Sequence, residues 1–468
     1  MRILLIAYEF PPSPSPQSLR WTYLCRELAR MGHEVHVLTA ELGWETAGLP
    51  ELPGQVRVHR VFGGPITGVV AMLARRHAGK VAKAARNRPA AMDIVVGMAV
   101  PPVDGAVVKP VMALRESRLN WKGRLVEKLR KIATQAIFPD ARGEWYFPAR
   151  RASMSLLGDI RPDIIVSSHE PATTLELAIN LKRRYRDIPW IADLGDPVLA
   201  DYTPRRWRRR ALRLERRVME LADGVTVTAP GTRDLLLERH GAAGLAPNRV
   251  QILTQGFEDD APPPISSAAG FFDTLRLELL YTGSFYQFRR PDVLLDAVAQ
   301  TPGVRLNIAS SNIPEWLRPR LEAQPERFRM LGFLPHRNAV ALQRQADVLV
   351  NIANDNPCQV PGKIYEYLGS GRPIIHVGNV VESDVSAALI RGRRRGWVCG
   401  NDREAMAGLL EALAERKRAG RLDSIDLDLD DRVVAEFGWS QVARHMAAMM
   451  ERLVATGERA PPEQGQGC

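Results

Sequence analysis

The stretch with the most chemistry in it runs from Asp347 to Val377, DVLVNIANDNPCQVPGKIYEYLGSGRPIIHV. A β-rich run gives way to a polar loop, Pro361-Gly362 opens a short helix, and Gly369 and Gly371 stop it before the next strand. Proline suits a first helical turn and glycine suits the stop. A helix starting at the carboxyl edge of a strand offers free N–H groups and a positive dipole end, which suits a diphosphate. Lys363 and Glu366 stand three apart, so they project from one face beside that anion site. The lysine would neutralise phosphate, and the carboxylate would accept two hydroxyl hydrogen bonds from a ribose. The alternative is a surface ion pair on an ordinary helix.

Three other places hold candidate groups. His169 follows an apolar run at its carboxyl end, and a lone histidine there is either a site residue or a loop or core residue. Asp193 and Asp196 in ADLGDP also sit at a strand end. Paired carboxylates there would position an acceptor hydroxyl or take up its proton; the alternative is turn formation by Asp before Pro. The loop Glu9–Ser18 is stiff with proline, and Ser18 and Arg20 on the following helix start are candidate anion or acceptor contacts.

The elements that must position these residues alternate regularly. Ile3–Tyr8 reads as a parallel strand covered on both faces, Ser18–Met31 as a helix, and Glu34–Ala40 as the next strand. Such a βαβ unit predicts a ligand crevice near Glu9–Arg20. Further strands are expected at Val56–Val61, Ile94–Val96, Asp163–Ser168, Pro189–Asp193, Gly224–Thr228 and Val250–Leu253. Helices are expected near Thr173–Arg184, Pro204–Ala222 and Thr232–His240. Asp259–Gly270 is rich in Pro, Ser and Ala and reads as a linker. A second series then follows, with strands at Leu277–Tyr281, Arg305–Ala309, Phe328–Leu331, Asp347–Ile352, Pro373–Val377 and Gly396–Cys399. Its helices are Pro291–Gln300, Pro314–Ala323, His336–Gln345, Gly362–Leu368, Ser383–Arg391 and Arg403–Arg418. Trp439–Val454 reads as a last amphipathic helix, and the tail from Gly457 as disordered. The domain reading is therefore 1–260, with an irregular basic segment at 63–150, then 271–437, a helix at 438–456 and a tail at 457–468. Two doubly wound halves predict a ligand cleft lined by strand carboxyl ends.

Composition narrows the function classes. The chain has 468 residues, 45% hydrophobic and 25% charged, which describes a globular protein with two or three domains. Its four cysteines are far apart, so a zinc ribbon, an iron–sulfur site or a disulfide framework is not expected, and a cytoplasmic location is. No apolar run approaches the roughly 18 residues of a spanning helix, and the opening MRILLIAYEF is too short a run for a signal peptide. Lys+Arg 64 against Asp+Glu 53 leaves +11, clustered at Arg75–Arg88, Lys122–Lys131, Lys182–Arg186, Arg205–Arg217 and Arg391–Arg395. Such clusters are either solvated faces or a surface for anionic lipid. Nucleic acid is not expected, because no recognised module or aromatic-interleaved basic groove is present.

Four blocks in order, MGHEVHVLTA, SSHEPATTLELAINLKRRYRDIPWIADLGDP, LELLYTGSFYQFRRPDVLLDAV and PGKIYEYLGSGRPII, resemble a retaining GT-B-fold glycosyltransferase, family 4-like, of group 1. The resemblance implies an α/β fold of two Rossmann-like doubly wound parallel-sheet domains facing a central cleft, with the C-terminal helix crossing back to the first domain. It implies a nucleotide diphospho-sugar as co-substrate, with no metal or other cofactor, and a glycan or lipid-linked acceptor bound by the first domain. Glu366 matches the second glutamate of the family's paired motif, which binds ribose. The position of the first is Cys358, a departure shared with a similar branch of the family, and Asn354, Asp355, Asn356 and Gln359 are its polar neighbours. The family's Gly-Arg turn, followed by a lysine, grips the diphosphate. Here the turn is Gly283-Ser284, and Arg289, with Arg290 beside it, stands at the lysine position. Donor contacts are thus expected from Gly283, Ser284, Arg289, Arg290, Asn356, Pro361, Gly362, Lys363 and Glu366. His169, Asp193 and Asp196 are expected near the reacting centre, and Ser18 and Arg20 at the acceptor. The product would be a cell-surface polysaccharide or glycolipid, made in the cytoplasm or on the inner membrane face. A nucleotide-sugar epimerase and a catalytically silent binding scaffold are the alternatives.

Overall fold

A computed structural model describes residues 1–13, 15–43, 49–65, 67–68, 138–140, 142–260, 270–285, 289, 291–310, 312–354, 360–378, 384–422 and 426–456. The expected strand Ile94–Val96, most of the basic segment, most of the linker, Asp355, Arg290, Asn356, Cys358, Gln359 and the tail lie outside these residues.

The chain divides into two compact units, each with its own sheet. The first comprises Met1–Thr228, Thr232–Leu253 and the chain from Arg444. Its strands are β1 (Arg2–Ile6), β2 (Glu34–Glu41), β3 (Val56–Phe62), β4 (Ile164–His169), β5 (Trp190–Leu194), β6 (Gly224–Val227) and β7 (Val250–Ile252). All pairs are parallel, in the order β3-β2-β1-β4-β5-β6-β7. The helices are α1 (Pro16–Arg30), α2 (Tyr146–Ile160), α3 (Thr173–Arg184), α4 (Arg208–Leu221) and α5 (Pro230–His240). Strands β4 and β5 are buried at every position, and their first three residues, Ile164–Val166 and Trp190–Ala192, are apolar runs. Helix α1 starts where Ser15 Oγ accepts the Ser18 N–H, with Pro16 at the first helical position.

The second unit holds Ala229–Gly231 and Thr254–Ala443. Its strands are β8 (Leu277–Thr282), β9 (Val304–Ala309), β10 (Phe328–Met330), β11 (Val348–Ile352), β12 (Ile374–Val377) and β13 (Gly396–Cys399). They too are all parallel, in the order β10-β9-β8-β11-β12-β13. Its helices are α6 (Asp292–Gln300), α7 (Arg318–Glu322), α8 (His336–Gln343), α9 (Lys363–Leu368), α10 (Val385–Gly392) and α11 (Arg403–Arg418). Alternate residues of β8 serve opposite faces. Leu277, Leu279 and Tyr281 pack with Leu294, Leu295 and Leu410 of α6 and α11. Leu280 packs with Leu342, Ile364 and Leu368 of α8 and α9. Helix α7 is shorter than its pattern suggested, with only Arg318–Glu322 helical after the Pro314 turn. Helix α12 (Trp439–Thr456) closes the described chain, and its Met449 and Leu453 lie against Gly224 of β6 in the first unit.

In each sheet the strand order reverses direction beside its first strand, between β1 and β4 and between β8 and β11. Loops that leave the carboxyl ends of those pairs diverge, and the space between them is where open α/β sheets take ligands.

One expectation changes at the first of these points. Arg20 and Asp193 were expected to meet an acceptor, but both are buried and they bond each other. Arg20 NH2 donates to Asp193 Oδ1 at 2.9 Å and Nε donates to Oδ2 at 3.2 Å, while a second Arg20 donor reaches the Leu253 carbonyl at 3.0 Å. Thr226 adds a 2.7 Å bond to the carboxylate. This pair ties α1 to β5 and to the chain after β7. Asp193→Ala strands a buried guanidinium, so it is expected to cost about 3–5 kcal/mol in urea unfolding, whereas an Arg20→Met/Asp193→Leu double variant recovers most of that. A loss below about 1 kcal/mol for Asp193→Ala would show that the pair does not hold this unit together.

Candidate active site

In the second unit the carboxyl end of β8 is where several elements converge. Thr282, its last residue, offers three polar groups and all are used. The Thr282 N–H donates to Tyr367 Oη at 2.9 Å, its hydroxyl lies 3.0 Å from the same Oη and accepts from Gln343 Nε2 at 3.1 Å, and its carbonyl accepts from Lys363 Nζ at 3.1 Å. Gly283 follows with φ +121°, a backbone conformation that side-chain-bearing residues rarely adopt, and a Cβ there would lie 3.5 Å from Lys363 Nζ. Helix α9 is thus held against the turn by Tyr367 and Lys363. At its other end the buried Arg395 guanidinium donates to the Leu368 carbonyl and, at 2.9 and 3.1 Å, to those of Asp428 and Asp430. Gly369 ends the helix where no side chain fits, since a Cβ would lie 2.1 Å from the Phe257 ring.

Lys363 and Glu366 point into this region with different partners. No ion pair joins them, so the surface-pair alternative does not describe this helix. Lys363 Nζ sits 3.7 Å from the centroid of the Tyr281 ring, over its negative face. Burial and the neighbouring Arg289 charge hold its pKa well below the ordinary lysine value, against the pull of Glu366. Glu366 is partly buried, and each of its oxygens is engaged by α8: Oε1 is 2.9 Å from His336 Nε2, and Oε2 accepts from Gln343 Nε2 at 3.3 Å. Burial opposes ionisation of the carboxyl, but the His336 charge and these hydrogen bonds outweigh it and hold its pKa below the usual value. Burial likewise opposes protonation of His336, and Glu366, with a smaller contribution from Glu258, raises its pKa nonetheless. The site therefore carries a cationic side at Lys363 and Arg289 and a fixed acceptor at Glu366.

Arg289 is buried and folds back over the glycine turn. Its NH1 donates to the Ser284 carbonyl at 2.8 Å and to Tyr281 Oη at 3.1 Å, and its Nε donates to Asn354 Oδ1 at 3.0 Å. It thereby links the loop after β8 to the loop after β11 across the switch point. Ser284 contributes its carbonyl to that link, and Tyr281 Oη also donates to it at 2.9 Å. Pro361 is buried and Gly362 exposed at the start of α9. That helix has only six residues, so most of the positive field there comes from the two cationic side chains and little from a helix dipole.

At the carboxyl edge of the first sheet, His169 is buried, and its Nδ1 lies 3.0 Å from the Asp196 carbonyl. A carbonyl only accepts, so Nδ1 carries the proton and a neutral His169 presents Nε2 as an acceptor. The Asp196 carboxylate accepts from Tyr202 Oη at 3.2 Å, and Glu170 accepts from the same hydroxyl at 2.8 Å. Ser18 is buried beneath the α1 cap, so the expectation of an acceptor contact there is corrected together with Arg20 and Asp193. Among the described residues, no group of three or more His, Cys, Asp or Glu side chains is placed to hold a metal ion.

His336, Gln343, Thr282 and Tyr281 are the site residues that sequence reasoning missed. His336 is a lone histidine after a proline, thirty residues before Glu366 in the chain, and carries no local signal. Thr282 and Tyr281 stand directly before the glycine turn, and that adjacency is the one clue available.

Residues 276–416 match the family model described as Glycosyl transferases group 1. Residues 76–260 match that of Glycosyltransferase Family 4. The chain is a glycosyltransferase of this group. Its two-sheet architecture is that of GT-B enzymes. Sucrose-phosphate synthase from Thermosynechococcus elongatus superposes with a TM-score of 0.62 at 16% identity, covering 97% of this chain and 99% of that one. The trehalose 6-phosphate synthase of Burkholderia multivorans gives 0.57 at 14%, covering 98% and 100%. A trehalose-6-phosphate protein from E. coli bound with UDP-2-fluoro glucose gives 0.56 at 10%, covering 97% and 99%. At these identities the likeness shows the fold. No curated protein matches the chain.

The His336–Glu366 pair makes a pH-dependent contribution to this glycosyltransferase. The raised histidine pKa means its share is complete below about pH 6.5 and is lost as pH rises through the folded-state value. The lowered Glu366 pKa means its share is present above about pH 4.3 and is lost as pH falls through the folded-state value. His336→Gln is therefore expected to lower the unfolding free energy by about 1–2 kcal/mol between those limits and by less at pH 9. Thermal melts of both proteins from pH 4 to 9 check this, and a difference that does not vary with pH would refute the pairing.

Proposed function

We propose that this glycosyltransferase moves a sugar, with retention of configuration, from a nucleotide diphospho-sugar to a hydroxyl of a glycan or lipid-linked acceptor, in cell-surface polysaccharide or glycolipid synthesis. The observation that carries the donor half is the juxtaposition of Lys363, Arg289 and Glu366 at the β8/β11 switch point. Lys363 and Arg289 would offset the charge that develops on the leaving diphosphate, with no metal required. Gly283 and Gly362 would let the backbone approach the phosphates, with Ser284 and Pro361 shaping the two turns, and Arg290 and Asn356 would add contacts from their loops. The Glu366 carboxylate would take the ribose hydroxyls. The fold shared with a protein bound to UDP-2-fluoro glucose supports a nucleotide-sugar donor. In a front-face reaction the departing diphosphate itself helps accept the proton of the incoming hydroxyl. His169, with Nε2 as acceptor, and the Asp196 carboxylate are the groups of the first unit proposed to meet that hydroxyl.

The acceptor's source follows from surface charge. Arg205, Arg206, Arg208, Arg209, Arg210 and Arg213 are all exposed along α4 and the turn before it. Arg206 and Arg210 stack on Trp207 at 5.3 and 5.0 Å. No described helix is long and apolar enough to cross a membrane. We infer that this face rests on the anionic inner leaflet, each charge contributing about 1 kcal/mol near the surface.

A thermal-shift panel of nucleoside diphosphates and their sugars is expected to raise the melting point. At a hundredfold excess over Kd the gain is about 2.7 kcal/mol, and Glu366→Ala should lose most of it. Absence of any shift across the panel would favour a silent scaffold over an enzyme. With the donor found, NMR of the first-formed product should show the donor's anomeric configuration and nucleotide release should depend on acceptor; conversion of the donor to its epimer with neither acceptor nor nucleotide release would point to an epimerase. Sedimentation with phosphatidylglycerol vesicles should fall at least tenfold when Arg206, Arg209, Arg210 and Arg213 become Glu. Unchanged sedimentation would remove the membrane reading.

A further inference from the structure

The Glu366 carboxylate is held by a second helix, α8, which carries no donor-binding residue in the reading above. His336 is the first residue of α8 and Gln343 the last, and both reach across to one carboxylate. One oxygen takes the imidazole and the other the carboxamide, so a side chain with three rotatable bonds has a single orientation. Each oxygen keeps a lone pair for another donor, and two parallel acceptor sites on a fixed carboxylate match a vicinal diol. Gln343 is further fixed by its bond to the Thr282 hydroxyl, which connects the clamp to the glycine turn. We propose that His336 and Gln343 are positioning residues that orient Glu366 for the ribose hydroxyls and so set the discrimination between ribo- and dideoxynucleotides.

The proposal rests on the nucleotide-sugar reading and deepens it. A protonated His336 always offers Nε2–H to the carboxylate. A neutral one is free to present a lone pair instead, which would turn Glu366 away from the diol. The charged groups that act on His336 are Glu366 and Glu258, while Lys363 and Arg289 lie on the phosphate side of the carboxylate. Titration of Lys363 alters diphosphate affinity equally with or without ribose hydroxyls, so a ratio of affinities isolates the clamp.

The test is isothermal titration of the full chain with uridine, adenosine and guanosine diphosphates and their 2′,3′-dideoxy forms, at pH 6, 7.5 and 9. For the nucleotide that binds tightest, the wild-type ribo/dideoxy affinity ratio is expected to be at least about tenfold at pH 6 and to fall as pH rises. His336→Gln should give a ratio that no longer varies with pH, and Gln343→Leu a ratio reduced at every pH. Dideoxynucleotide affinity normalises the ratio in each variant, and a cooperative thermal melt reports that each is folded. If Glu366→Ala abolishes the ratio while His336→Gln and Gln343→Leu leave it and its pH profile intact, the clamp is refuted and the ribose reading stands. If Glu366→Ala leaves the ratio intact, or no nucleotide binds, both fall.

Discussion

The carboxyl end of β8 is the point on which the second unit's chemistry depends. A strand end leaves backbone groups without ladder partners, and burial makes each one costly unless another element satisfies it. Thr282 meets that requirement by taking Tyr367 and Lys363 from α9 and Gln343 from α8. Satisfying one residue's polar groups therefore brings two helices to a glycine turn, and the ionisable groups come with them. Gly283 supplies the positive φ with which the chain turns away from the strand.

The same few ångströms hold an electrostatic arrangement that folding alone would not favour. Burial lowers the pKa of Lys363, and the charge of Arg289 lowers it further. Glu366 is kept ionised by His336 and does not neutralise Lys363 directly. Separate partners for the two residues preserve a cationic end and an acceptor end, as a nucleoside diphosphate requires.

Candidate polar residues in the first unit sort by what their side chains bond. Arg20 and Asp193 complete each other in the interior, where removal of either leaves a charge unpaired. Asp196, half-buried, and His169, buried, lie at the carboxyl edge of the sheet and bond to different partners. There the Asp196 carbonyl fixes the imidazole tautomer, and its carboxylate faces an exposed tyrosine. Sequence position gave these four residues the same standing, and only side-chain direction separates a structural pair from groups able to meet a substrate.

The sequence by itself determined most of the described elements and their succession along the chain. Apolar runs such as Ile164–Val166 and Leu277–Tyr281, the second interrupted by Glu278, mark strands covered on both faces, and Pro361-Gly362 with Gly369 bound α9 closely. It also determined Lys363 and Glu366 as a same-face pair, because helical spacing is a local property. Tertiary structure decided what that pair does. His336 is thirty residues away from Glu366 in the chain, Arg289 is sixty-five from Asn354, and Asp193 is 173 from Arg20. Such contacts arise from how parallel strands are ordered and how helices lie across them. No periodicity in one segment encodes a partner in another.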